Sequence, residues 1–393
     1  MEQSNENFNE TEKITTWGYA SFFVTLTKSS FIGMSSYVIF SICNINAYIA
    51  TILGGIIGII PLLIFIFISK NSKNYNIIEL NNELFGKVIG AFLNCILNIT
   101  IIFMAILALY NVSEFIDINY MPDTNTNYLR ILLLMPVVYA ASKKSNVITK
   151  ISTMVLIINL GIFIVSALGL VANCNVDNMF PILKDGIKPA IKASILYMIF
   201  STFPIFLLLI IPKDQIGQKG KYSKVCIMFF GANLMITIVT LFTILILGEE
   251  LIPLFRFPEY ISLKSFKLFT IIERVENTLS LRFIFNVIMY LIISFHFLIQ
   301  SFKTILKNNN TKIKVSKVSP YILAILVLVL SNIIFKNAIF TTEFIVKVVP
   351  YILIFGIFLP MMITFLGVVI KNIKEKVKCK SKSMYKTSSN NIY

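Results

Sequence analysis

Long uncharged apolar runs, separated by short polar stretches that carry lysines, set the pattern of this chain. They cover residues 29 to 69, 88 to 113, 151 to 176, 193 to 212, 225 to 248, 283 to 302, 318 to 335 and 348 to 370. A helix that crosses a bilayer needs about 20 apolar residues, because no water is present there to pair the backbone N–H and C=O groups. The first run holds one full span and much of another, with Asn44 and Asn46 marking the turn between them. A weaker stretch from 125 to 142, whose uncharged part between Arg130 and Lys143 is short, completes the set. The pattern predicts an all-α integral membrane protein with about ten transmembrane helices. They lie near 15 to 42, 46 to 69, 87 to 116, 125 to 142, 147 to 172, 190 to 211, 223 to 248, 278 to 306, 318 to 335 and 345 to 370. On this reading 1 to 14 is a disordered cytoplasmic tail, 15 to 370 the ten-helix domain and 371 to 393 a basic cytoplasmic tail.

Ten spans divide five plus five, the arrangement in which an inverted repeat places broken helices first in each half. The first span carries Lys28-Ser29-Ser30, Gly33 and Ser35-Ser36 at its middle, where a helix can open. The sixth carries Ser201-Thr202-Phe203-Pro204, and a Pro in mid-span removes a backbone hydrogen bond and clashes with the turn before it. Two connections, 172 to 189 and 248 to 277, are longer than the rest. The second mixes helical spacing with Pro breaks, and reads either as a short interfacial helix over the outer mouth or as a structured connector.

Composition agrees: 56% of the 393 residues are hydrophobic and only 14% charged. Lysine and arginine crowd one side of the ten-span topology, in the segments around Lys13, Lys70, Lys143, Lys213, Lys303 and Lys371. The positive-inside rule then places both termini in the cytoplasm. The net charge of +16 is mostly this asymmetry, so a nucleic-acid partner is not expected. The first dozen residues are acidic and polar, unlike the basic start of a secretory signal.

Few residues offer chemistry. Lys28 is an ammonium at mid-depth, which costs about 2.5–3.5 kcal/mol unless it meets water or a partner. It either faces the bundle interior or snorkels to an interface. Arg282, Asn286, Tyr290 and Ser294 form a stripe at i+4 spacing on span eight, and Ser152, Asn159 and Ser166 one at i+7 on span five. Each stripe is either helix-to-helix glue or the lining of a ligand path. His296 is the only histidine and the five cysteines are scattered, so neither a metal site nor a disulfide framework is indicated. No nucleophile elbow, P-loop or paired-carboxylate motif is present, so the chain does not read as an enzyme and implies no cofactor. The basic run from Lys371 onward is either a last topogenic signal or a contact for anionic membrane lipid.

The order of several segments resembles the endospore germination permeases, the B-type subunits of nutrient germinant receptors. LGEELIPLFRFPEY followed by FTIIERVE, between Leu247 and Glu276, is similar to that family's pattern of Leu-Gly-Glu-Glu, an aromatic-Pro pair and Glu-Arg-x-Glu. NMFPILKDGIKPAIKAS from Asn178 to Ser194, the IIPKD end of span six and ELFGKVIG before span three add to it. The resemblance implies a ten-helix fold of the amino acid-polyamine-organocation type in the spore inner membrane. It also implies partner subunits of A and C type and a small nutrient ligand such as an amino acid. Where that family carries Pro after the first-span Gly, this chain has Ile39-Phe40. Where it carries Glu in span six, this chain has Thr202.

These readings place a ligand between the broken spans, at Gly33, Ser35, Ser201, Thr202 and Pro204, with Lys28, Asn286 and Tyr290 as charged or polar lining. The unwound backbone there is expected to offer free N–H and C=O groups. The alternative is a proton- or sodium-coupled amino acid transporter.

Overall fold

The computed structural model of the chain describes residues 13–72, 74–217, 220–264, 276–308, 315–335 and 337–389, with backbone alone at 276–279, 307–308, 315–317 and 378–389. The stretch 1–12 of the predicted N-terminal tail and most of the FTIIERVE motif lie outside the described residues.

Helix α1 (Thr16–Ser29) opens on a cap, Thr15, whose hydroxyl accepts the Gly18 N–H at 3.1 Å. It ends at Ser30, and the chain passes through a π turn, Phe31–Ser35, in which Ile32 is extended and Gly33 is left-handed at φ +72°. The chain resumes as α2 (Ser36–Cys43) and stops at Asn44, whose φ is positive at +43°. Helices α3 (Ala47–Ile57) and α4 (Ile59–Asn71) complete the first long apolar run.

Helix α5 (Ile77–Tyr120) starts in a capping box between Asn76 and Glu79. A left-handed Gly86 at φ +76° separates 77–86 from the membrane-crossing part, so the helix begins ten residues before the predicted third span. Next come α6 (Thr126–Ala141), capped by Asn125, and α7 (Ser145–Leu170). Helix α8 (Lys188–Thr202) tightens into a 3-10 segment, Phe203–Ile210. Beyond it lie α9 (Lys221–Leu251), the short α10 (Pro258–Lys264), α11 (Glu276–Asn308) and α12 (Val315–Ile334). The last helices are α13 (Ala338–Lys347), α14 (Val349–Leu353) and α15 (Leu359–Ser389), with a π turn at Ile354–Phe358 between the final two. Helix α15 thus runs on through 371–389, the region read as a separate basic tail.

Among the described residues seven helical runs are long and apolar enough to cross a membrane, and eight if Val318–Ile334 and Ala338–Lys347 count together as one. The first run, Thr16–Asn71, has 56 residues, about 84 Å at 1.5 Å each and roughly twice a bilayer. Divided at Asn44, and with the shorter Thr126–Ala141 admitted, these runs account for the ten predicted segments. The protein is a multi-pass, all-α integral membrane protein. Its outer surface carries Met154, Ile157, Leu168, Tyr321, Ile322 and Ile325 in the open, as a hydrocarbon solvent permits.

Helix α1 sits at the centre, packed on α7, α9 and α11, while α3 packs on α8. Ile14 exchanges backbone hydrogen bonds with Gln215 and Gly217, Lys213 donates to the Lys70 carbonyl, and Asn372 donates to Asn71. These contacts bring the N-terminal segment and the end of the last span to one face of the bundle. Glu114, Lys184 and the connection from α9 to α10 lie on the other, here the far face.

Candidate functional site

The two breaks meet. Pro204 has no N–H to give the Phe200 carbonyl one turn back, and that carbonyl accepts instead from the Ser30 hydroxyl at 2.7 Å. Ser30 is the residue at which α1 ends. The Ile32 carbonyl, released by the extended backbone there, accepts from Asn111 Nδ2 of α5 at 2.9 Å. The Gly33 N–H donates to Ser36 Oγ at 3.1 Å. The groups that unwinding was expected to leave for a ligand are therefore held by the protein's own side chains, since an unpaired backbone group in so dry a place is costly.

The other predicted residues separate around this junction. Ser35 is buried and its hydroxyl has no hydrogen-bond partner among the described residues. Ser201 and Thr202 are fully buried with their hydroxyls 3.4 Å apart. Thr202 points at α3–α4, where its Oγ1 lies 2.7 Å from the place a Cβ on Gly58 would take. It thus packs on the second span, away from Gly33. The stripes of spans five and eight do meet: Asn159 Nδ2 donates to Asn286 Oδ1 at 2.8 Å, while Ser152 bonds Ser21 of α1 at 2.9 Å. Tyr290 and Ser294 are buried on the same stripe. At the other end of α11, His296 is pinned between Ser145 and the Ala141 carbonyl at 3.0 and 3.1 Å, a helix-packing role.

Lys28 is buried, with its Nζ 3.4 Å from Met235 Sδ of α9 and 5.7 Å from the centre of the Phe163 ring on α7. Arg282 of α11 approaches the same ring at 5.6 Å. Two cations therefore flank one aromatic ring, and spans one and eight contain no Asp or Glu to answer them.

Over the first break lies a cap from the connection after α9, read from sequence either as a short helix over the outer mouth or as a structured connector, and a short helix, α10, is found there. Phe257 fills the space a side chain on Gly33 would need and meets Phe115 edge to face at 5.1 Å. Tyr260 and Phe283 meet the same Phe115 ring at 5.3 and 5.0 Å. Beside them Arg256 forms an ion pair with Glu114 of α5. Helix α10 carries Glu259 into the interior, next to Ser36. Below it is a small cavity of about 20 Å³, bounded by Phe163, Ser166, Val239, Glu259, Leu263 and Arg282 among others. Larger hollows open elsewhere, one at the face of the termini beside Lys13, Lys144 and Asp214, another beside Lys87, Asn98 and Phe302. None of these three is lined by Gly33, Ser35, Ser201, Thr202 or Pro204.

Residues 20–340 match the model of the spore permease family, described as spore germination protein. The chain belongs to this family. A solved structure of similar fold is a Na+-coupled sialic acid symporter in its substrate-bound, outward-open state. The match has a TM-score of 0.63 at 10% identity and covers 93% of this chain and 90% of that one. No curated protein sequence matches significantly. The fold of this germination protein is thus that of a membrane transporter.

Glu259 gives the germination protein a pH signature. Burial raises its carboxyl from the ordinary 4.5 to about 7, and the Ser36 hydroxyl beside it holds the rise back. A raised value in the folded state means that the native protein holds the proton more tightly than the unfolded chain. This contribution to stability is complete below about pH 4.5, falls as pH rises to about 7 and is flat beyond. The thermal midpoint of purified protein should therefore decline across that window, and Glu259→Gln should remove this part of the slope. An identical slope in the variant would assign the pH dependence to other groups.

Proposed function

We propose that this chain is the B-type, membrane-embedded subunit of a spore germinant receptor. It binds a small nutrient, an amino acid, at the junction of the broken first and sixth spans and passes the signal to A-type and C-type partner subunits. It sits in the spore inner membrane with both termini in the cytoplasm, its ten spans forming two inverted halves of five. It performs no enzymatic chemistry.

The observation that carries this reading is the stitched junction at Gly33. Three backbone groups released by two separate breaks are satisfied by the short side chains of Asn111, Ser36 and Ser30. A ligand that supplies its own carboxylate and ammonium to those backbone groups competes with these side chains, and the exchange repositions α1 against α5 and α8. Such competition is a differential interaction with two states of the bundle, which a ligand needs in order to shift their balance. The unpartnered Ser35 hydroxyl at the same turn adds one more group for it.

The rival reading is a coupled amino acid transporter, favoured by the symporter's fold. Sodium coupling across spans one and eight is opposed by Lys28 and Arg282, because fixed cations repel a third in a medium of low dielectric. Spores carrying Gly33→Val, with membrane levels of the subunit verified by immunoblot, should need at least tenfold more nutrient to germinate. An unchanged dose response would remove the ligand from this junction. Uptake of labelled amino acid by proteoliposomes holding this chain alone would favour the transporter.

A further inference from the structure

Glu259 is 1% exposed and Arg282 is 5% exposed. Neither carboxylate oxygen of Glu259, nor Nη1 of Arg282, has a hydrogen-bond partner among the described residues. Both residues line the same small cavity, yet they do not pair with each other. Lys28 lies near the Phe163 ring that Arg282 also approaches, with the Met235 thioether as its hydrogen-bond partner. Buried groups of opposite charge that line one small cavity without pairing carry a desolvation cost that the Phe163 ring and the Ser36 hydroxyl offset only in part.

We propose that the cavity between α7, α9, α10 and α11 is a binding site for a small zwitterion, its carboxylate held by Arg282 and its ammonium by Glu259. A simple anion would satisfy Arg282 but leave Glu259 orphaned and repelled. A simple cation would do the reverse, against both Arg282 and Lys28. At about 20 Å³ the space holds about one water, too little to solvate two ions. An amino acid brings both charges on one short frame and leaves the net charge of the site unchanged. The remaining wall of Ala167, Leu170, Phe242 and Leu263 suits a small apolar side chain once α10 shifts outward to make room.

This rests on the nutrient-binding reading for its amino acid ligand, but moves the ligand from the backbone at Gly33 to the charged side chains of this cavity. The test is thermal-shift and calorimetric titration of the full chain in lipid nanodiscs with the twenty common amino acids. Propionate and ethylamine serve as one-ended controls. At least one amino acid should raise the wild-type midpoint while neither control does. Glu259→Gln and Arg282→Gln should each weaken that binding at least tenfold and, without ligand, be at least as stable as wild type, because each removes an uncompensated charge. Tight binding of propionate alone would overturn the zwitterion. Wild-type affinity in both variants, with binding lost only in Gly33→Val, would overturn this cavity and leave the junction reading standing. If no amino acid binds wild type, both fall.

Discussion

Glu114→Gln should lower the stability of the purified protein by about 3–5 kcal/mol, and Arg256→Met added to it should recover most of the loss. The two side chains are only 10% and 12% exposed, so the pair has left water. Removing one partner of a buried pair costs that much because the remaining charge keeps its desolvation penalty and loses the attraction that offset it. Replacing both ends by groups of similar volume is often nearly neutral. The loss should have a local signature, since Arg256 adjoins Phe257 and Phe257 closes the space over Gly33. Hydrogen exchange in Pro258–Lys264 should therefore quicken in the single variant and slow again in the double. Chemical denaturation in detergent supplies the free energies. A loss below about 1 kcal/mol for Glu114→Gln would mean that the pair is solvated and that the cap is held by its aromatic rings alone.

The pairing of Glu114 with Arg256 could not be read from the sequence, where Glu114 stood only as one of the acids nearest to Lys28, and the reason is physical. Apolar run length, lysine asymmetry and mid-span Gly and Pro are local properties, and they found the spans and both breaks. Gly33 is left-handed, as its residue type permits, and Pro204 is the second residue of a 3-10 segment that ends the α-helix before it. Which side chain answers a freed carbonyl depends on rotation of one helix against another. The Ser30 and Asn111 hydrogen bonds were therefore invisible. The stripes of Asn159 and Asn286 were legible one at a time, but their meeting was not. Thr202 shared the sixth-span break with Pro204, yet helix rotation turns it to Gly58. Arg130 looked like an ordinary loop-end charge. It is buried instead, donating to Ser113 at 3.1 Å and to Ser331 at 3.3 Å, with its guanidinium 5.3 Å from the Tyr110 ring centre. Glu259 lies in a connector that reads as polar and interfacial, and only the folding of that connector back into the bundle makes it a buried acid. A charge count along a sequence treats such residues as topology signals, and the tertiary fold turns some of them into chemistry.

Gly33→Ala should be the most damaging single-methyl substitution in the first span, costing about 2–5 kcal/mol. The left-handed backbone at φ +72° accounts for about 1–2 kcal/mol once a Cβ is present. Overpacking adds about 1–3 kcal/mol, because that Cβ would lie 2.7 Å from Asn111 Oδ1 and closer still to the Phe257 ring. Gly220 separates the two causes. It is left-handed as well, at φ +67°, but a Cβ there meets only Lys224 Cε at 3.8 Å, so Gly220→Ala should show the backbone cost alone. The excess loss at Gly33 is then the steric part, and it should shrink when Phe257→Ala is added to Gly33→Ala. Denaturation midpoints of the three variants decide the matter. Equal losses at Gly33 and Gly220, or no relief from Phe257→Ala, would mean that the cap does not press on the first break. If the relief is found, Phe257 and a ligand at the junction compete for the same space beside Gly33, so removing the ring should also strengthen nutrient binding to the otherwise unchanged chain.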